Sequence, residues 1–239
     1  MQKAIKNDLP RYSSTSYLLT KVFMFVIVWG CMSLANDEIT KFSDDLIIFL
    51  QKELNSYDPN TKLEFNPAKA KLLLKESGYD VNNSPLEVLY NTSEGHQKIA
   101  QAIQEMWKKH LGLNVVLTNV DWKVYLARET QGEFDISRAG WIGDYPDPFT
   151  FLDMMVTNRG NNKTGWSNSA YDEILNSAAS KISTKQRYKL YEEAEKILID
   201  ELPVIPLYTY TRTYLLSERV KNWQNNILDT NPYQFLSLE

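Results

Sequence analysis

The sequence has 239 residues, 43% of them hydrophobic and 23% charged, enough for one well-buried core and an N-terminal extension. A net charge of −4 lacks the basic field by which nucleic acid or an anionic membrane surface captures a protein. The single cysteine, Cys31, excludes an intramolecular disulfide and a cysteine-based zinc cluster, and two histidines, His96 and His110, leave little for a transition metal; no metal and no cofactor is expected.

At the N-terminus, Lys3, Lys6, Arg11 and Lys21 precede an apolar run from Val22 to Trp29, then Gly30, Cys31 and Ser33-Leu34-Ala35. This is the charged, apolar, small-residue order of a secretory signal, and the run is well short of the ~20 apolar residues of a membrane span. Residues 1–35 are therefore expected to direct export to the periplasm. Cleavage after Ala35 is favoured over lipidation of Cys31, because Trp29 is bulky where a lipidation signal wants a small residue. Residues 36–65 contain one apolar patch, Leu46 to Leu50, and read as a linker with an unassigned helix.

From residue 66 the pattern becomes regular. Asn66-Pro67 is a cap followed by proline at the first helical position, and Gly78 stops that helix. Pro85 introduces a strand, Leu86 to Tyr90, followed by a polar turn from Asn91 to Gly95. Ile99, Ile103, Met106 and Trp107 recur at helical spacing up to Gly112, and Leu113, Val115 and Leu117 then alternate as in a strand. Asp121 is placed to cap a short helix ending at Gly132, and Phe134 to Arg138 reads as the next strand. Two more helices are expected over Ser169 to Ala179 and Thr184 to Leu202, with Leu190, Ala194, Ile197 and Leu198 facing a core, and Val204 to Tyr210 reads as a strand between prolines. Trp107, Trp122, Trp166 and Trp223 are expected to pack in the core or at its edge. The alternation predicts an α/β fold on a largely parallel sheet, whose ligands gather at the carboxyl ends of strands.

Two stretches fall at such ends: Asn91 to His96, and Arg138-Ala139-Gly140-Trp141-Ile142-Gly143-Asp144-Tyr145-Pro146-Asp147-Pro148. The second packs a cation, two glycines, two aromatics, two carboxylates and two prolines into one loop, a density of rigid and charged groups that marks binding sites. A partly buried carboxylate on such a stiff loop can hold an ammonium by a charge-assisted hydrogen bond of roughly 1.5–3 kcal/mol, and Asp144 is the candidate. Free backbone groups around Gly140 and Ile142 could pair with an extended peptide as an added strand, with Trp141 and Tyr145 as walls. Set against this, Asp144 could cap a turn, Arg138 could form a surface ion pair, and His96 could be an ordinary first-turn helix residue. Asp144 and Asp147 without a nucleophile or metal are a weak enzyme signal, and no enzymatic activity is expected.

With Leu89-Tyr90-Asn91-Thr92, His96 and the helix from Asn66 to Gly78, this loop resembles the oligopeptide-binding proteins of bacterial ABC importers, the peptide and nickel substrate-binding family, from about Asn66 to the C-terminus. The resemblance implies a type II periplasmic-binding-protein-like lobe. It also implies that Asp144 holds a peptide's amino terminus, and that Arg138 and His96 lie near its carboxylate end. A second basic residue, which some relatives carry nine positions before the motif arginine, is Glu129 here, with Arg128 beside it. In that family the ligand lies between two lobes, and the upstream lobe has no counterpart in residues 1–65. The implied chain is thus a C-terminal lobe over residues 66–239, truncated relative to the family pattern, whose partners are an oligopeptide, an inner-membrane ABC permease and either a separately encoded lobe or a second copy. The alternative is an interaction protein that has lost ligand binding.

Overall fold

The computed structural model describes residues 57, 65–83, 85–181, 183–208, 215–224 and 231–239. The signal-like segment 1–35, with Cys31, and the patch Leu46 to Leu50 lie outside the described residues.

Helix α1 (Pro67–Ser77) begins where the sequence predicts, with the Asn66 side chain accepting from the Lys69 amide. Strand β1 (Leu86–Asn91) leads into α2 (Glu94–Leu111), β2 (Val115–Val120) and α3 (Trp122–Gln131), whose cap Asp121 accepts from the amides of Lys123 and Val124. All three helices end on a glycine in the left-handed region, Gly78, Gly112 and Gly132, with φ between 68° and 71°. In α2, Glu94 sits in the first turn and Lys108, Lys109 and His110 in the last, each complementing the helix dipole.

Strand β3 is shorter than predicted: Ile136–Ser137 instead of Phe134 to Arg138, although the Arg138 amide still donates to the Leu89 carbonyl at 2.9 Å. The three strands form a parallel sheet in the order β2-β1-β3, with Leu86 opposite Val115 and Val88 opposite both Leu117 and Ile136. Parallel neighbours require crossover helices, and right-handed crossovers running in opposite directions, β1 to β2 and then β2 back past β1 to β3, place α2 and α3 on opposite faces. On the α2 face, Leu86, Val88 and Val115 pack with Ala70, Ile103 and Trp107.

A second apolar cluster lies around α5 (Ser169–Ala179) and α6 (Thr184–Glu201). It takes Leu152 from the short helix α4 (Phe149–Leu152) and Met155 from the 3-10 turn Asp153–Met155 that follows. Of the α6 positions predicted to face a core, Ala194 and Leu198 are buried and Leu190 and Ile197 partly so. Tyr57 is also buried here, its hydroxyl donating to the fully buried Glu195 carboxylate at 3.0 Å. Burial, and then Glu195, raises the Tyr57 phenol far above its ordinary titration range.

The predicted strand from Val204 to Tyr210 does not form over residues 204–208, and residues 209–210 lie outside the described ones. The segment instead bridges the two clusters, Val204 packing against the helical one and Ile205 and Leu207 against the sheet one. A short antiparallel pair, β4 (Val220–Lys221) with β5 (Ser237–Leu238), closes the chain. Trp107 and Trp166 are buried and Trp223 is half-buried, but Trp122 is 58% exposed, stacked on Tyr125.

Trp107 is 1% exposed at the centre of the sheet cluster. Its replacement by alanine is expected to lower unfolding free energy by about 3–5 kcal/mol, read as a fall in the urea midpoint at unchanged slope.

Candidate functional site

The carboxyl ends of β1 and β3 lie side by side, and each feeds a stretch singled out in the sequence. After β1, the Thr92 amide donates to the Val120 carbonyl at 2.9 Å and its hydroxyl to Asn119 at 3.0 Å, so the turn is tied to the end of β2. His96 follows in the first turn of α2, half-buried. Its imidazole titrates below the ordinary value, first because burial disfavours the cation and second because the Arg138 guanidinium repels it; the Asn91 backbone opposes both. The structure thus brings His96 and Arg138 together. Asn91 Oδ1 and His96 Nδ1 are buried there without a hydrogen-bond partner among the described residues.

The backbone of Arg138 is fixed from the other face of the sheet. Its carbonyl accepts from the Tyr125 hydroxyl at 2.6 Å, and that phenol also lies 2.8 Å from Glu129 Oε1 and 3.0 Å from Ser137 Oγ. The single phenolic proton serves one acceptor at a time, while Ser137 Oγ can donate to Glu129 at 3.2 Å. Tyr125 is 3% exposed, and burial first, with Glu129 adding to it, pushes its phenol up to about 12. Glu129, which stands where the resemblance expects a base, is therefore a structural acceptor on α3. Arg128 does not stand in for that base: its guanidinium donates to Glu87 at 2.9 Å and to the Glu133 carbonyl.

Between β3 and α4 runs the loop Arg138 to Pro148. Gly143 is buried where a Cβ would come within 3.2 Å of Thr150 Cγ2 and 3.5 Å of the Phe151 ring, a tight fit that a larger residue could take only if Thr150 gave way. Its neighbour Asp144 donates its amide to Thr150 Oγ1 at 3.0 Å, and Thr150 is itself buried. The second carboxylate, Asp147, is committed. Oδ1 accepts from the Phe149 amide at 3.0 Å and Oδ2 from Arg187 at 2.9 Å. Of the two, Asp147 caps the turn, and the Asp144 carboxylate makes no hydrogen bond among the described residues. Asp144 is exposed and not, as the sequence reading has it, partly buried, because the loop turns its backbone inward. Ile142 is 67% exposed, Tyr145 40% and Gly140 is open to solvent, whereas Trp141 is half-buried with its indole nitrogen unpartnered.

No contact joins Asp144 to Arg138 or His96 among the described residues. Arg138 begins the loop with His96 of α2 nearby, and Asp144 lies further along it toward α4. Sequence reasoning missed Thr150, Arg187 and Tyr191; for Asp147 the Asp-Pro step was a usable signal of an Asx turn. No group of three potential metal ligands occurs among the described residues, and none of their helices is long and apolar enough to cross a membrane.

The model of the bacterial extracellular solute-binding proteins, family 5 Middle, matches residues 46–163. The periplasmic murein peptide-binding protein MppA of Escherichia coli is 39% identical over 186 residues, 77% of this chain and 34% of that protein. The oligopeptide-binding protein OppA of Bacillus subtilis is 43% identical over 151 residues, 62% of this chain and 28% of that protein. Among solved structures, the unliganded open form of MppA superposes with a TM-score of 0.79 at 31% identity, over 95% of this chain and 45% of that one. Listeria monocytogenes OppA bound to peptide superposes with a TM-score of 0.73 at 29% identity, over 94% of this chain and 45% of that one. The chain belongs to family 5 of the bacterial extracellular solute-binding proteins and has their type II periplasmic-binding-protein-like fold, while spanning about a third of the length of the curated relatives it matches.

Because Arg138 depresses the His96 titration, Arg138→Gln is expected to raise the His96 midpoint, followed by the imidazole proton resonances between pH 4 and 8. A depressed imidazole leaves stability intact above the unfolded value and lowers it as pH falls through the folded one, so the variant should also lose less stability on acidification. An unmoved midpoint would separate His96 from Arg138.

Proposed function

We propose that this chain forms one wall of an oligopeptide-binding cleft outside the inner membrane and delivers its ligand to an ABC permease, without a cofactor and without catalysis. The observation that carries this reading is the unequal fate of two carboxylates in one rigid loop: Asp147 is neutralised by Arg187, and Asp144 is held outward with no partner among the described residues. An outward carboxylate on a fixed backbone suits an α-ammonium. At the far end of the loop Arg138 and His96 suit the peptide's carboxylate end, and the open backbone at Gly140 and Ile142 suits main-chain pairing, with Trp141 and Tyr145 as walls. Support also comes from the relatives, named for murein peptides, oligopeptides and dipeptides.

Residues 66–239 are read as the C-terminal lobe, residues 36–65 as its linker and residues 1–35 as an export signal, cleaved after Ala35 in preference to a lipid anchor at Cys31. A lobe alone leaves one side of the ligand in water, which screens the charges that a closed cleft would desolvate. Full affinity then requires a separately encoded lobe or a second copy. A different ligand class is a rival, since a relative 39% identical over 143 residues is named a probable deoxycholate-binding protein; that ligand has no ammonium for Asp144.

Titration calorimetry with tri- to pentapeptides decides between them. Free-amine peptides should bind, and Asp144→Asn should weaken them about tenfold or more, as losing a charge-assisted bond of roughly 1.5–3 kcal/mol requires. An N-acetylated peptide binding as well as the free amine, with a variant effect below about threefold, would falsify the assignment. For export, the mature N-terminus from the periplasmic fraction is expected to be Asn36; a form retaining residues before Val22 would refute it.

A further inference from the structure

We infer that Arg187 and Tyr191 of α6 are positioning residues, which fix the direction of the Asp144 carboxylate by holding Asp147. The inference rests on the proposed role of Asp144 and extends it to a helix that contributes nothing to the loop in sequence. The turn is built on Asp147: its amide donates to the Tyr145 carbonyl at 2.9 Å, its own carbonyl accepts from Thr150 at 3.1 Å, and its Oδ1 accepts from Phe149. Thr150 in turn holds the Asp144 amide. One residue thus organises both ends of the turn that presents Asp144, and its remaining oxygen, Oδ2, is the point at which that turn is tied to α6.

The tie has the right chemistry for positioning. Arg187 donates to Oδ2 at 2.9 Å with both side chains about three-quarters buried, 27% and 22% exposed, so the pair is shielded from solvent without being fully desolvated. The Tyr191 phenol lies close enough to Asp147 to feel its charge, and it is raised by burial first and by that carboxylate second. Its ring packs against Phe149, the centroids 6.2 Å apart, which fixes α4 over α6. Neutralising Asp147 has a second effect. Two carboxylates three residues apart would compete for one ammonium, and Arg187 removes one of them from the contest, leaving Asp144 as the directed anion.

The test compares wild-type protein with Arg187→Met, Arg187→Lys and Asp147→Asn. Amide hydrogen exchange without ligand is the first measurement. In Arg187→Met the Asp144 amide should exchange at least tenfold faster while the amides of β1 and β2 are unchanged. Lysine, which can make the single contact to Oδ2, should restore protection. Asp147→Asn, which keeps an acceptor for Phe149 but loses the charge, should fall between. An unchanged Asp144 amide in Arg187→Met, or acceleration spread evenly over the sheet, would overturn the positioning role. The second measurement is the ratio of affinities for a free-amine tripeptide and its N-acetylated form, which should drop about tenfold in Arg187→Met and recover with lysine; a purely stabilising pair would lower the urea midpoint and leave the ratio alone. If wild-type protein binds neither peptide, the peptide-binding reading fails, and the exchange result still decides the role of Arg187.

Discussion

Everything at this site hangs on the pairing of β1 with neighbours on both sides. A central parallel strand has its amides and carbonyls satisfied on both edges, which permits burial, and Leu86, Val88, Leu89 and Tyr90 are all buried. The chain leaves β1 in one direction to reach β2 and returns past it to reach β3. At the carboxyl ends β1 and β3 stand side by side, the place where ligands of parallel sheets gather. His96 follows the first from the start of α2 and Arg138 the second from the end of β3. Their mutual repulsion follows from topology, since two residues 42 positions apart are delivered together by adjacent strands.

The sheet orders one end of the loop and the helical cluster orders the other. Arg138 is held through its amide to Leu89 and its carbonyl to Tyr125, both donors and acceptors of the sheet layer. Thr150 and Asp147 belong to the α4–α6 layer. The loop thus spans two separately packed clusters, and the segment Val204 to Leu207 is a second bridge between them. The distance between an anionic and a cationic end is set by how the two clusters pack, a property of cores and not of the loop's own sequence.

How much of this was legible in the sequence tracks the range of the interactions involved. Helix ends were readable because capping is local: Asn66, Gly78, Asp121 and Gly132 act within four residues of themselves. The central strand was readable because it is apolar, short and bounded by a proline and a polar turn. Val204 to Leu207 was misread because an apolar run between prolines looks the same whether it joins a ladder or only fills space between cores. The fates of Asp144 and Asp147 were not separable, since the cation that takes one of them is 40 residues away on α6. Tyr57 was equally opaque: its partner Glu195 lies 138 residues on, and one buried glutamate among the many charged residues of α6 carries no local mark.

Glu129 shows how a departure from a family pattern is resolved by its surroundings. Taken by itself, an acid where a base is expected reverses the local charge. In the fold it lies with Tyr125 and Ser137, engaged with their hydroxyls. The Arg138 guanidinium acts on both His96 and the Tyr125 phenol, favouring a lower titration of each. Arg128 does not restore the missing base, being bound to Glu87 on the central strand and to the carbonyl of Glu133. The cationic end of the loop consequently holds Arg138 beside an imidazole whose burial and neighbour lower its titration. On the proposed peptide-binding reading, such an end is a weaker electrostatic anchor than one carrying two guanidinium groups, and ligand orientation would rest on the Asp144 end. That end is the one fastened to a helical core, where rigidity would limit the ordering cost of binding.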